Sequence, residues 1–385
     1  MFEVIDKFTK YFTWDKTDVD NWNFKLYSKV SVALCMLAAA TCICTEYFGK
    51  SIDCFQEQEN KYATQYCWLH GTYQFASTQK DFVEQLAKKT GQKCVTDDYY
   101  SKNEVPQTAY YQWVIFMLFG HGCLFMLPDW IWKFIEGGLI ENFGPFKEPV
   151  NGDGDKLRKT ADKFINLSQN QNRLYFIGFV TCELMNLGVA VLNVIVIDVF
   201  LNGKYLWYGY DVIQYLIRDK YDEFGDYDGS SETVNPMCAA FPTLVNCEYF
   251  LGGVGKGTLD TRSAVCILSQ NIVNEKIYLI LWFWHIFLIG SSTFMLGYRF
   301  ITTLIPHFRQ YELFFRARKG RSKVIEEVSK RIALSQWFIL CQIGRNHSDS
   351  RLFNDLLKKI ESQYTGNNNN NQYKPLIKKD KKEIV

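Results

Sequence analysis

The chain is short of net charge, of histidine and of catalytic signatures. Its 43 Lys+Arg against 41 Asp+Glu leave a formal charge of +2 over 385 residues. So even a balance supplies no broad basic surface of the kind nucleic-acid binding needs, and no nucleic-acid partner is expected. Five histidines show no metal-ligand spacing. No nucleophile–base–acid set and no cofactor fingerprint occurs. No enzyme activity, cofactor or metal is therefore expected. Asn151, Asp153 and Asp155 alternate like the start of a calcium loop. Lys156 then stands where such a loop needs glycine, and Asp162 where it needs glutamate. Residues 252–258 resemble a phosphate loop, but Phe250 replaces its first glycine and Gly257 follows Lys256 where Ser or Thr is required. The first 29 residues are mixed and charged, without a small-residue cleavage site, so no signal peptide is expected.

What the chain has is clustering. A mean hydropathy of −0.15 suggests a soluble protein, yet the apolar residues collect in four runs: 30–48, 111–132, 174–201 and 277–305. About 20 apolar helical residues cross a bilayer core. The second run carries aromatic residues at both ends, Tyr110, Tyr111 and Trp113 at its start and Trp130 and Trp132 at its close, as spans do at the two headgroup layers. The expected fold class is an all-α membrane protein with four transmembrane helices.

The twelve cysteines fix which side is which. Cys35, Cys42, Cys44, Cys123 and Cys182 lie in spans and Cys341 in the tail. Cys54, Cys67 and Cys94 follow the first span, and Cys238, Cys247 and Cys266 precede the fourth. An even set confined to two loops implies an oxidising compartment, which places both loops outside the cell. Fewer than a third of the lysines and arginines fall in those loops, in agreement with the positive-inside rule. The expected organisation is a cytoplasmic segment 1–29, an outer loop 49–110, a cytoplasmic loop 133–173, an outer loop 202–276 and a cytoplasmic tail 306–385.

Within these segments, residues 78–89 read as a short helix, 244–250 and 261–268 as strands, and 156–167, 323–337 and 352–360 as cytoplasmic helices. Arg316, Arg318, Lys319, Arg321 and Lys323 form a basic cluster suited to anionic membrane lipids. The last residues, Glu383-Ile384-Val385, fit a carboxyl-terminal ligand for a PDZ-type domain.

Span one carries a helical stripe of small or weakly polar residues, Ser31, Cys35, Ala38, Cys42 and Thr45, with Glu46 following. Small residues mark helix–helix packing; a water-facing pore wall is the alternative. Ionisable residues inside spans are functional candidates. These are His121, Glu183 and His285, and similar depths make a His121–Glu183 contact one option.

Specific wording goes further. Tyr110-Tyr111-Gln112-Trp113-Val114 opens the second span, and Pro128 precedes its closing Trp130, Trp132 and Lys133. Gln65-Tyr66-Cys67-Trp68-Leu69-His70-Gly71-Thr72-Tyr73, Phe241-Pro242, Cys247-Glu248-Tyr249 and Asn274-Glu275-Lys276 follow in order. Together these resemble the innexins, the four-span subunits of invertebrate gap junctions. The resemblance implies a large-pore channel oligomer at the plasma membrane. Subunits would assemble as an octamer, homomeric or mixed with other innexins, and dock with an opposing hemichannel on a neighbouring cell. Phe2, Glu3 and span one would line the pore. It further implies inter-loop disulfides Cys54–Cys266 and Cys67–Cys247. Cys94 and Cys238 depart from the usual two cysteines per loop. Falling one per loop, they suggest a third bridge in the same nested order. Pannexins, the related release channels, are the alternative. The sequons Asn166-Leu167-Ser168 and Asn346-His347-Ser348 both fall in cytoplasmic segments, and neither outer loop offers one. A rim without glycans leaves docking sterically open.

Overall fold

The computed structural model describes residues 19–55, 61–73, 107–143, 154–167, 169–222, 234–252, 259–317, 322–346 and 350–366, with Gln85 and Gly257 besides. The 78–89 helix, the calcium-like start at 151–153 and the PDZ-type terminus lie outside these residues, Gln85 excepted.

The elements run in order as helix α1 (Trp22–Phe48), strand β1 (Asp53–Phe55), α2 (Lys61–His70), β2 (Thr72–Tyr73), β3 (Gln107–Thr108) and α3 (Val114–Glu136). Then come α4 (Gly154–Asn166), α5 (Gln169–Phe200), α6 (Tyr208–Asp222), α7 (Pro236–Ala240), β4 (Leu244–Gly252) and β5 (Leu259–Ile267). The chain continues with α8 (Ser269–Leu304), α9 (Pro306–Arg316), α10 (Ser322–Arg331), α11 (Leu334–Asn346) and α12 (Ser350–Gly366). Four stretches are long and apolar enough to cross a membrane, namely α1, residues 114–143 beginning with α3, residues 172–200 of α5, and α8. Helices α1, α5 and α8 begin ahead of their hydropathic stretches, and α3 runs past the end of its own. At 1.5 Å per residue the 36 residues of α8 extend about 54 Å, well beyond a hydrocarbon core of about 30 Å.

The chain divides into two compact units. One comprises residues 26–126 and 187–290 and holds the disulfides. Its sheet has the order β1-β5-β4-β2-β3, with antiparallel pairing throughout. The β4–β5 hairpin supplies most of it, from Leu244 opposite Ile267 to Gly252 opposite Leu259. Gly257, in the connection, has φ +84°, a left-handed conformation that glycine adopts without strain. Cys67, Val245, Cys247, Tyr249, Ala264 and Cys266 form a buried core beneath. α6 was not legible in the sequence, which reads as loop there. It is anchored by buried Tyr208 and Val212, and Gly209 brings it against the Trp282 ring.

The other unit comprises residues 1–25, 127–186 and 291–385. Its core gathers Trp132, Phe164, Phe179, Phe338, Leu340, Ile343, Leu357 and Ile360, all buried. Residues 323–337 do not form one helix. The chain breaks between Arg331 and Leu334, where the Ala333 N–H donates to Gln336 Oε1 at 3.1 Å. That is half of a capping box, so α11 starts afresh.

Candidate functional site

The disulfide-bearing loops form the first candidate surface. Cys54 and Cys266 sit opposite each other in the β1–β5 pairing and are joined at S–S 2.08 Å. Cys67, in the last turn of α2, is joined to Cys247 of β4 at 2.02 Å. Both bridges cross from one loop to the other, spanning 212 and 180 residues of sequence. Such a bridge contributes about 2–4 kcal/mol. The sulfurs of Cys54, Cys67 and Cys266 lie within 4.8 Å of one another. All three are oxidised in bridges, so they present no thiolate for a metal. Cys238 is also disulfide-bonded. It sits in α7, which Asn235 caps by accepting from the Met237 N–H at 3.0 Å, with Pro236 opening the helix. Cys94 lies outside the described residues.

The Tyr110-Tyr111-Gln112 motif has a local job. It forms a single 3-10 turn before α3. Tyr111 Oη donates to the carbonyls of Cys67 at 3.2 Å and Trp68 at 3.4 Å. Gln112 Nε2 donates to those of Trp68 and Leu69. The last carbonyls of a helix have no partner within it, so this motif completes the end of α2 that carries Cys67. Tyr110 packs edge-on to Phe241 and Phe200 at 6.1 Å each. Trp113 is exposed. Pro128 is buried within α3, where it lacks the N–H that would meet the Leu124 carbonyl.

The three intramembrane ionisable residues are all buried, and His121 and Glu183 each pair with a different residue. His121 Nδ1 pairs with Asn193 Oδ1. His285 Nδ1 lies 2.6 Å from the Leu281 carbonyl and 3.2 Å from Tyr205 Oη. Glu183 pairs with Arg299, whose Nε donates to its two oxygens at 2.9 and 3.2 Å. Asn21 Nδ2 donates to Glu183 Oε1 at 3.3 Å. The Arg299 guanidinium lies between two rings, 4.9 Å from Phe179 and 5.0 Å from Phe338. Similar depth along two helices says nothing of rotation about their axes, and a guanidinium answers a buried carboxylate better than an imidazole does. Arg299 and Asn193 escaped the sequence reading. Arg299 was visible as a charge near the end of the fourth apolar run.

The small-residue stripe of span one is covered within the subunit: Ser31, Cys35, Ala38 and Cys42 are all buried. Ser31 Oγ donates to the Leu26 carbonyl in the π-helical stretch Leu26–Ser31 and accepts from Trp284 Nε1 at 2.9 Å. A Cβ added at Gly122 would lie 3.7 Å from Cys35 Cβ, so α3 approaches α1 closely there. Thr45, half-buried, donates to Gln270 Oε1 at 2.6 Å. Glu46 is half-exposed. The exposed face of α1 is instead Leu37, Ala40, Thr41, Cys44 and Phe48. Phe2 and Glu3 lie outside the described residues.

Four apolar spans, two loops crosslinked to each other and a helical carboxyl-terminal segment define a four-span membrane protein. The innexin family profile matches residues 20–364. Innexin inx2 of Schistocerca americana is 30% identical over 371 residues, covering 94% of this chain and 99% of that protein. Innexin inx2 of Drosophila melanogaster is 28% identical over 384 residues, covering 97% and 99%. Innexin shaking-B of Drosophila melanogaster is 28% identical over 349 residues, covering 89% and 90%. The chain belongs to the innexin family. It is a multi-pass plasma-membrane protein and a gap-junction channel subunit.

Proposed function

We propose that the chain assembles as an octamer, alone or with other innexins, around a pore that passes ions and small solutes by diffusion. Two such hemichannels dock head to head through the disulfide-tied outer loops. The observation that carries this reading is the double tie on the β4–β5 hairpin. One bridge reaches it from β1 and the other from α2, so its register is held before a partner arrives. A preformed surface loses less conformational entropy on association than a loose loop of the same length.

The pore wall is read from burial. Leu37, Ala40, Thr41 and Cys44 of α1 are exposed on the subunit and are assigned to the pore, with the amino-terminal segment around Phe2 and Glu3 at its mouth. Membrane lipids cover the outer helix faces. The carboxyl terminus is assigned to a PDZ-type partner. Counting subunits in the purified assembly tests the stoichiometry, with eight expected and six contradicting the octamer. Deleting residues 2–12 tests the mouth. Altered conductance from an intact assembly is expected, and unchanged currents reject the assignment.

A further inference from the structure

In the tail-bearing unit, a cavity of about 320 Å³ opens where α8, α9 and α11 meet. We propose that it binds a phosphorylated polyol head group, of the inositol phosphate type, carried by an anionic membrane lipid or free in the cytosol. Its volume falls at the small end of the ligand-pocket range, which starts near about 300 Å³.

The lining states the chemistry. Three guanidiniums face it, Arg299, Arg316 and Arg345, against one lining carboxylate, Glu312, with Glu183 already paired to Arg299. Arg316 Nη2 donates to Glu312 Oε1 at 2.6 Å, and Arg345 donates to the Asp20 main-chain oxygen. Guanidinium forks match phosphate oxygens. Two acceptors complete the pattern. Gln342 Oε1 and Glu312 Oε2 are buried and meet no donor among the described residues. Gln342 as a residue is only 4% exposed. A buried acceptor left unpaired costs about 1–3 kcal/mol, and inorganic phosphate, nearly all acceptor, offers these two little. A polyol carries hydroxyl donors beside its phosphates, so one ligand answers both the cations and the orphan oxygens.

Depth agrees with this assignment. The apolar run of α8 begins near Ile277, and about 20 residues of helix fill the hydrocarbon core. Arg299 follows at the cytoplasmic boundary, the level of lipid head groups. Basic pockets at helix ends on the cytoplasmic side bind such heads. The basic run Arg316, Arg318, Lys319, Arg321 and Lys323 adjoins it in sequence. A ligand here would bridge the last span to α9 and α11, and so would fix the tail helices against α8.

The test uses the full-length assembled channel in phosphatidylcholine nanodiscs. Binding of dioctanoyl phosphatidylinositol bisphosphate and of free inositol trisphosphate is measured by calorimetry. Saturable binding is expected for at least one probe. Tighter binding of the lipid assigns the site to the membrane, and equal binding to the cytosolic head group. Arg345→Gln should weaken binding at least about tenfold. Gln342→Leu, which changes no charge, should reduce the preference for the inositol probe over short-chain phosphatidic acid about fivefold or more. Assembly is checked by elution volume. No saturable binding of either probe overturns the proposal. So does equal affinity in the properly assembled Gln342→Leu and Arg345→Gln variants, or binding of ATP in place of the inositol probes.

Discussion

Replacing Glu183 with glutamine should destabilise the protein far more than the small change in shape suggests. The carboxylate is 1% exposed and Arg299 9%. They share bonds of 2.9 and 3.2 Å, and the guanidinium sits between Phe179 and Phe338. Glu183→Gln removes one charge and strands the other. Breaking a buried pair from one side costs about 3–5 kcal/mol. The two ring contacts, worth up to about 2 kcal/mol when desolvated, hold the cation in place rather than release it to water. Arg299→Gln should cost a similar amount by stranding the carboxylate. The double variant, with no charge left, should recover to within about 1–2 kcal/mol of the parent, because two amides can bond across the gap. Chemical unfolding of the four proteins in one detergent gives the cycle. The reasoning predicts a coupling of at least about 2 kcal/mol. Two single variants that each cost under about 1 kcal/mol and add independently would refute it.

Further outcomes follow from single contacts. Gly209→Ala places a Cβ within 2.2 Å of the Trp282 ring, so a loss of about 1–3 kcal/mol is expected in thermal melting; an unchanged melting temperature contradicts the close packing. A membrane-impermeant thiol reagent should reduce current through exposed Cys44 and spare buried Cys35 and Cys42. Block that persists in Cys44→Ser places the pore elsewhere. Replacing Cys67 and Cys247 together by serine should cost about 2–4 kcal/mol and abolish cell-to-cell current. Peptide mapping of the unmodified protein should recover Cys54 with Cys266, and a Cys54–Cys67 peptide would contradict the sheet register.

The four spans were legible because bilayer crossing demands a long apolar run, which composition shows directly. The two strands of the hairpin were legible because residues 244–250 and 261–268 carry β-branched and aromatic residues around a glycine-rich turn. Rotation about a helix axis was not legible. Both the Ser31-to-Cys42 stripe and the His121–Glu183 option depended on it. A stripe of small residues serves close packing as well as a water-filled wall, and here Gly122 comes close to Cys35. Helix α6 was hidden for another reason. It falls inside the stretch read as an outer loop, and its Tyr210, Ile213 and Ile217 are apolar yet exposed on the subunit.

Docking through the outer loops is the central claim, and paired-cell recording tests it most directly. Cells expressing the chain are paired, with the protein shown at the contact. A second pair carries Val254→Asn with Lys256→Ser, which creates a glycan acceptor in the connection between β4 and β5. The account predicts junctional current in the first pair, and its loss in the second while single-cell hemichannel current survives. Single-cell current without any junctional current from the unmodified protein, alone or with other innexins, would contradict the account.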